Sequence, residues 1–332
     1  MTELTTTTTG PVVPGAPRFI HAGDAEAIAA AASAARAPST RRVYASAWRA
    51  WQAWADGRGY PAMPADPVHV AAYVADLGAS GRSVSTIDRA LAAIAAEHEQ
   101  NGLDSPTAAP GVRLTRAGVR RTVGVAPRRQ AHPVTTDDVR RLVDVCEPGS
   151  LRGVRDRALI LLGYAAALRR SELAALTVGG VVFRPGGLVL TLARSKGDQE
   201  GAGVSVGVAR GHGVTDPVAA VRAWQNAAGL DDPTEPLLTR IAWSDRRALR
   251  GRGLTGQAIQ DVLRARAEQA GLGDLPISGH SLRAGHATTA AEAGVPADRL
   301  ARTTRHARLE TLARYVRPAE VLRDTSSASL GL

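Results

Sequence analysis

The sequence predicts a mainly α-helical protein of two domains with one small antiparallel β-sheet, and three observations carry that prediction. Its 332 residues exceed one ordinary domain of about 100 to 200 residues. Apolar residues make up 44% of the chain, ample for packed cores, but aromatics supply only 4%. The cores are therefore built from Ala, Leu and Val, whereas a sheet-dominated fold wants more β-branched and aromatic side chains. Apolar residues also recur at helical spacing along most of the chain, and strand-like runs gather between residues 181 and 208.

Taken in order, residues 1–35 are rich in Thr, Pro, Gly and Ala and read as a disordered N-terminal tail. Residues 36–110 read as a small helical bundle. Tyr44, Trp48 and Trp51 share one helix face and belong to a core rather than to a stacking platform. Asp66 and Pro67 form an N-cap and first-turn pair for a helix through Val70, Tyr73 and Leu77. A further helix carries Ile87, Leu91, Ile94 and His98 and stops at Gly102, with His98 a packed or half-exposed histidine. Residues 111–131 form a basic helix or linker. Residues 132–318 form a second domain, with a helix capped at Thr135/Thr136, another from about Arg155 to Ala167, and strands at Val181–Phe183, Leu188–Ala193 and Val204–Val208. The loop "RSKGDQEGAG" between the last two strands is too polar and Gly-rich to be anything but a hairpin loop. Beyond about Asp216 the pattern is helical throughout, ending in a tail over residues 319–332.

The formal charge of +10 suits a polyanionic partner such as nucleic acid. Within residues 111–130 there are six arginines and no acid, and in a helix Arg113, Arg116 and Arg120, with Arg121 beside them, present a face suited to a phosphate backbone. Cys146 is the single cysteine, which excludes a disulfide framework and a cysteine-based zinc site. No run approaches the roughly 18 apolar residues that span a bilayer, and no basic-then-apolar signal opens the chain, so a cytoplasmic protein without a membrane partner is expected.

Of 41 basic residues, one is lysine, Lys196, and it sits in the hairpin loop. Arginine does not give up its proton at neutral pH, whereas a lysine ammonium can serve as a general acid. Arg169 lies near a helix start with Glu172 three residues on, and "ISGHSLRAGH" places His280 and Arg283 one helical turn apart. His306 follows Arg283 by 23 residues and Tyr315 follows His306 by nine, with Tyr315 among Arg308, Arg314 and Arg317. Two arginines, two histidines, a lysine and a tyrosine are the parts for phosphoryl transfer without a metal. Paired guanidiniums stabilise the charge developing on phosphorus, the phenol attacks and holds the phosphate, and the ammonium protonates the leaving oxygen.

"LRRSEL", the hairpin lysine, "HSLR", His306 and Tyr315 resemble, in type, order and spacing, the active-site set of the tyrosine recombinase (phage integrase) family. The resemblance covers about residues 39–320 and is nearest to simple, Cre-like members. It implies a two-domain DNA clamp, with a helical core-binding domain and a mixed α/β catalytic domain. It further implies a site-specific recombinase acting on double-stranded DNA as a homotetramer, through a Holliday junction and without cofactors, ATP or metal. Residue by residue, Tyr315 would form a 3′-phosphotyrosine and free a 5′-hydroxyl, and Arg169 and Arg283 would bind the phosphate. Glu172 would orient Arg169, Lys196 would protonate the leaving oxygen, His280 would assist the tyrosine's proton, and His306 would donate to a phosphate oxygen. The 319–332 tail would dock on a neighbouring protomer.

One departure stands out: the family usually has glycine before the histidine equivalent to His306, and here Arg305 stands there, expected to alter the turn or touch phosphate. Two other readings stay open, a monomeric type IB topoisomerase with the same tyrosine chemistry and a DNA-binding protein without catalysis. "GRGLTG" at 251–256 satisfies a dinucleotide-binding pattern, but "SDRRALR" before it does not read as a strand, so a DNA-backbone contact suits it better. His286 reads as a helix packing residue.

Overall fold

The computed structural model describes residues 21–34, 36–124, 131–192 and 203–305. The first twenty residues, Lys196, His306, Tyr315 and the 319–332 tail lie outside that set. The chain divides between residues 128 and 129 into two compact units. Among the described residues, no helix is long and apolar enough to cross a membrane.

The N-terminal unit is all helical. Helix α1 (Ala22–Ala34) falls where a structureless tail is expected, and its alanine-rich sequence explains why, since alanine is the strongest helix former. Helix α2 (Pro38–Asp56) carries the aromatic stripe, with Trp51 wholly buried and its Nε1–H donating to the Ala62 carbonyl at 3.1 Å. Trp54 stacks on Trp51 and donates to Asp76 at 2.9 Å. Asp76 belongs to α3 (Pro67–Ala79), whose N-cap is Asp66, accepting from the Val68 amide. Helix α4 (Val84–Gln100) buries His98. Because the Ala65 amide donates to Nε2 at 2.9 Å, the proton must sit on Nδ1, which donates to the Ile94 carbonyl at 2.8 Å. This histidine is a satisfied core residue, as its place on the apolar face implies.

Helix α5 (Pro110–Val123) is where the sequence places a basic helix or linker. It is an integral helix of this unit: Val112 is buried, and Val119 sits so close over Gly78 that a Cβ there would lie 2.7 Å from a valine methyl. Arg116 turns back to Asp88 of α4 at 2.6 Å, while Arg113, Arg120 and Arg121 are exposed.

In the second unit, α6 (Thr136–Asp144) opens at a Thr135/Asp138 capping box and α7 (Leu151–Ala165) is the central helix, with Leu159, Ile160 and Leu162 fully buried. The short helix α8 (Arg170–Ala175) follows, and then a three-stranded antiparallel sheet of β1 (Val181–Arg184), β2 (Gly187–Leu192) and β3 (Val204–Ala209). Period-two burial sets its register: Leu188, Leu190 and Leu192 of β2 pair with Val208, Val206 and Val204, and all but the half-buried Val204 lie in the core. Helix α9 (Pro217–Ala228) packs Trp224 against the core, its indole donating to the Leu237 carbonyl at 2.6 Å.

The expectation of helix alone after Asp216 fails at β4 (Thr239–Ile241) and β5 (Ala248–Gly253), a second antiparallel pair. Strand β5 has no β-branched residue and reads poorly as a strand; cross-strand pairing overrides its weak propensity. "GRGLTG" thus does leave a strand, but an antiparallel hairpin instead of the parallel unit a dinucleotide fold requires. The hairpin's turn is tied to the start of α7. Asp245, at φ 57°, accepts from Ser150 Oγ at 2.8 Å and the Arg152 amide at 3.0 Å, and Arg152 donates to the carbonyls of Ala242 and Trp243. Trp243 itself stands 96% exposed.

Helices α10 (Gly256–Gln269), α11 (Ser281–Glu292) and α12 (Ala297–Thr304) complete the unit. Arg266 of α10 meets buried Asp156 of α7 at 2.8 Å, and Arg155 holds the other carboxylate oxygen at 2.7 Å. The approach of α11 to residue 134 is closer still, since a Cβ on Gly285 would lie 1.7 Å from the Val134 carbonyl oxygen. Gly285→Ala is therefore expected to cost at least about 1–3 kcal/mol, seen as a lower denaturant midpoint with an unchanged slope.

Candidate active site

Helix α7 ends in a Schellman motif. The Leu168 amide donates to the Gly163 carbonyl and the Ala167 amide to the Tyr164 carbonyl, with Ala167 itself at φ 47°. Glycine is the usual residue for that conformation, and holding alanine there costs roughly 1 kcal/mol. The motif leaves the carbonyls of Ala166 and Ala167 facing away from their own helix, available as acceptors.

Arg169 follows directly as the N-cap of α8. Glu172, one turn on and 3% exposed, receives the Arg169 amide on Oε2 at 2.9 Å and the Arg169 guanidinium on Oε1 at 2.5 Å. The carboxylate therefore caps the helix and fixes the arginine at once. Burial pushes the Glu172 carboxyl up, but the Arg169 amide and the charges of Arg305 and Arg169 more than offset this and hold it below the usual glutamate range.

Arg283, 1% exposed on α11, donates from Nη1 to the Ala167 carbonyl at 2.8 Å. His280 stands at the start of the same helix in helical dihedrals, and its carbonyl accepts from the Ala284 amide, so it lies one turn from Arg283 as its spacing predicts. Desolvation first, then the charges of Arg283 and Arg169, hold the His280 imidazole below the ordinary histidine range. It is thus neutral at physiological pH and able to accept a proton. His286, farther along α11, packs edge-on to Tyr164, in keeping with a packing role.

Arg305, expected to alter the turn or touch phosphate, does sit in a left-handed turn. It closes α12 at φ 55°, ψ 45°, its side chain is 6% exposed, and its guanidinium points inward. Nη2 reaches Glu172 Oε2 at 2.7 Å and the Ala167 carbonyl at 2.9 Å, while Nη1 donates to the carbonyls of Ala166 and Thr303. Its own carbonyl accepts from Arg169 Nη2 at 3.0 Å.

The structure thus brings Arg169, Glu172, His280, Arg283 and Arg305 together around one carboxylate and one turn. Arg113, Arg116, Arg120 and Arg121 belong to the other unit. The glycine-free Schellman turn and the inward course of Arg305 have no sequence signal; both are settled by tertiary contacts.

Residues 133–321 match the model of the phage integrase family. The chain belongs to the phage integrase family. The integrase/recombinase xerD homolog of Selenomonas ruminantium is 30% identical over 298 residues, 88% of this chain and 85% of that protein. Recombinase cre of Escherichia phage P1 is 29% identical over 248 residues, 70% of each. Among solved structures, a lambda integrase(75-356) dimer bound to a COC′ core site shares the fold at a TM-score of 0.56 and 15% identity, over 86% of this chain and 90% of that one. XerH recombinase in a post-cleavage complex with its difH substrate does so at 0.55 and 15%, over 80% and 72%. This integrase-family chain is accordingly a site-specific tyrosine recombinase, an enzyme that cleaves and rejoins DNA.

The Glu172 assignment can be read through acid. Its carboxyl is depressed in the folded state, so its contribution is complete above the unfolded value and is lost as pH falls through the folded one. Glu172→Gln is expected to cost about 3–5 kcal/mol at neutral pH, because the buried Arg305 guanidinium and the half-buried Arg169 guanidinium lose their counter-charge. In thermal or denaturant unfolding, the gap to wild type should narrow below the ordinary glutamate range and stay constant above it.

Proposed function

We propose that this recombinase works by transient covalent attachment of Tyr315 to a scissile DNA phosphate. The observation that supports this most is the convergence of Arg169, Arg283 and a neutral His280 at one place. Two positioned guanidiniums suit the non-bridging oxygens of a phosphodiester and the extra charge of its pentacoordinate transition state. The Tyr315 oxygen attacks phosphorus, the P–O5′ bond breaks, and a 3′-phosphotyrosine and a 5′-hydroxyl result. Lys196 gives its proton to the departing 5′-oxygen. His280, uncharged, assists removal of the phenolic proton, and His306 donates to a phosphate oxygen. Reversal with a different 5′-hydroxyl rejoins the strand, so ATP is not required, and these side chains supply the charge stabilisation and proton transfers without a metal.

In this reading the helical unit over residues 36–110 and the catalytic unit over 132–318 close on duplex DNA carrying a specific site. Four protomers of a Cre-like assembly exchange strands through a Holliday junction in the cytoplasm, at the nucleoid, and residues 319–332 dock on a neighbouring protomer. The exposed guanidiniums of α5, Arg113, Arg120 and Arg121, contact the phosphate backbone. Arg116 is engaged by Asp88 and contributes less.

A nicked duplex drawn from the sequences flanking the coding region, cut so that attack releases a short 5′-hydroxyl fragment, would trap the covalent complex. Wild type is expected to give a shifted protein–DNA band on a denaturing gel, Tyr315→Phe none and Lys196→Ala much less; DNA binding with no covalent band on any such duplex would favour the non-catalytic alternative. In salt titrations, Arg120→Ala and Arg121→Ala are each expected to lower the log–log slope by about 1, and Arg116→Ala by less.

A further inference from the structure

Three arginines meet at the site, yet Arg305 spends its guanidinium on protein acceptors. It shares Glu172 with Arg169, the two cations lying 2.7 and 2.5 Å from opposite carboxylate oxygens. It shares the Ala167 carbonyl with Arg283, at 2.9 and 2.8 Å. Its main-chain carbonyl takes a further hydrogen bond from Arg169. The left-handed backbone at residue 305 makes this possible, because it turns the carbonyl toward Arg169 while the side chain runs back under the Ala166–Ala167 turn. An L-residue held in that conformation is strained by roughly 1 kcal/mol, and such strain persists where surrounding contacts over-determine it.

We infer that Arg305 is a positioning residue that fixes Arg169 and Arg283 relative to one another through Glu172 and the Ala167 carbonyl, without itself touching DNA. The inference rests on the reading of Arg169 and Arg283 as the phosphate-binding pair. The chemistry needs such a strut. Two guanidiniums placed on a transition state must hold their mutual geometry to within about 0.5 Å, and their direct anchors lie on separate elements, α8 and the end of α7. Arg305 joins these anchors through Nη2 while Nη1 of the same rigid fork grips the Ala166 and Thr303 carbonyls, and its charge also keeps Glu172 ionised to serve Arg169. Lysine would restore the charge but not the fork.

The test compares wild type, Arg305→Met and Arg305→Lys on the nicked duplex described above, reading the dissociation constant and the rate of covalent-complex formation at saturating DNA from pH 3 to 8. Arg305→Met is expected to slow the saturated rate by about 10- to 100-fold with binding changed less than about threefold. The Glu172 step of its acid limb, as distinct from the His280 step, should move to higher pH, because that carboxylate keeps only one cation. Arg305→Lys should return the acid limb toward wild type while the rate stays reduced. A weakened dissociation constant with an unchanged saturated rate would make Arg305 a direct DNA contact and overturn the inference. A rate loss with the acid limb unmoved would reduce Arg305 to a structural residue, which overturns it equally. Should Arg305→Met not fold, Arg305→Lys and wild type supply the same comparison of rate against binding.

A second arm needs no DNA. Thermal midpoints of wild type and the folded Arg305 variants are followed from pH 7 down to pH 3; loss of the Glu172 contribution should begin at higher pH in Arg305→Met, and superimposable profiles would sink the inference. Absence of a covalent band in wild type would count against the tyrosine reading instead, so the two failures are distinguishable.

Discussion

A single buried carboxylate organises the catalytic unit. Glu172 is nearly inaccessible to water, and a lone charge in such a place would be expensive; two guanidiniums and a backbone amide make it tolerable. The relation runs both ways. Arg169 and Arg305 can be held in fixed poses only because an ionised partner is there to hold them. Removing the carboxylate would leave two cations side by side with no counter-charge between them.

The same economy recurs deeper in the unit. Asp156 on α7 receives Arg155 on one oxygen and Arg266 on the other, which fastens α10 to α7. In a chain short of aromatic side chains, directional ion pairs supply orientation that a bulkier core would provide by shape. Buried ion pairs add little net stability but fix one arrangement over its rivals, as a hypothesis of specificity would have it.

What the sequence disclosed follows from how local each feature is. The Asp66 and Thr135 caps, the helix-face histidine His98 and the alternating strands β1 to β3 are written in residues a few positions apart, so they are legible. Arg169, Glu172, His280 and Arg283 are legible because their spacing and type are chemical. Strand β5 is not, since its arginines and glycines carry no strand preference and only pairing with β4 makes it one. Nor is the membership of α5 in the N-terminal unit, which depends on Val119 meeting Gly78 and Arg116 meeting Asp88. The inward course of Arg305 is hidden for the same reason: every one of its acceptors except Thr303 is more than a hundred residues away in the chain.

The anchored turn of the second hairpin gives the protein an optical asymmetry. Trp51 and Trp224 are wholly buried, Trp48 and Trp54 are half-buried, and Trp243 alone stands almost fully in water on a turn pinned to the start of α7. An indole in water emits at longer wavelength than one in an apolar core. The red edge of the intrinsic fluorescence therefore belongs to one residue of the catalytic unit, and its accessibility to a soluble quencher can be followed without attaching a dye.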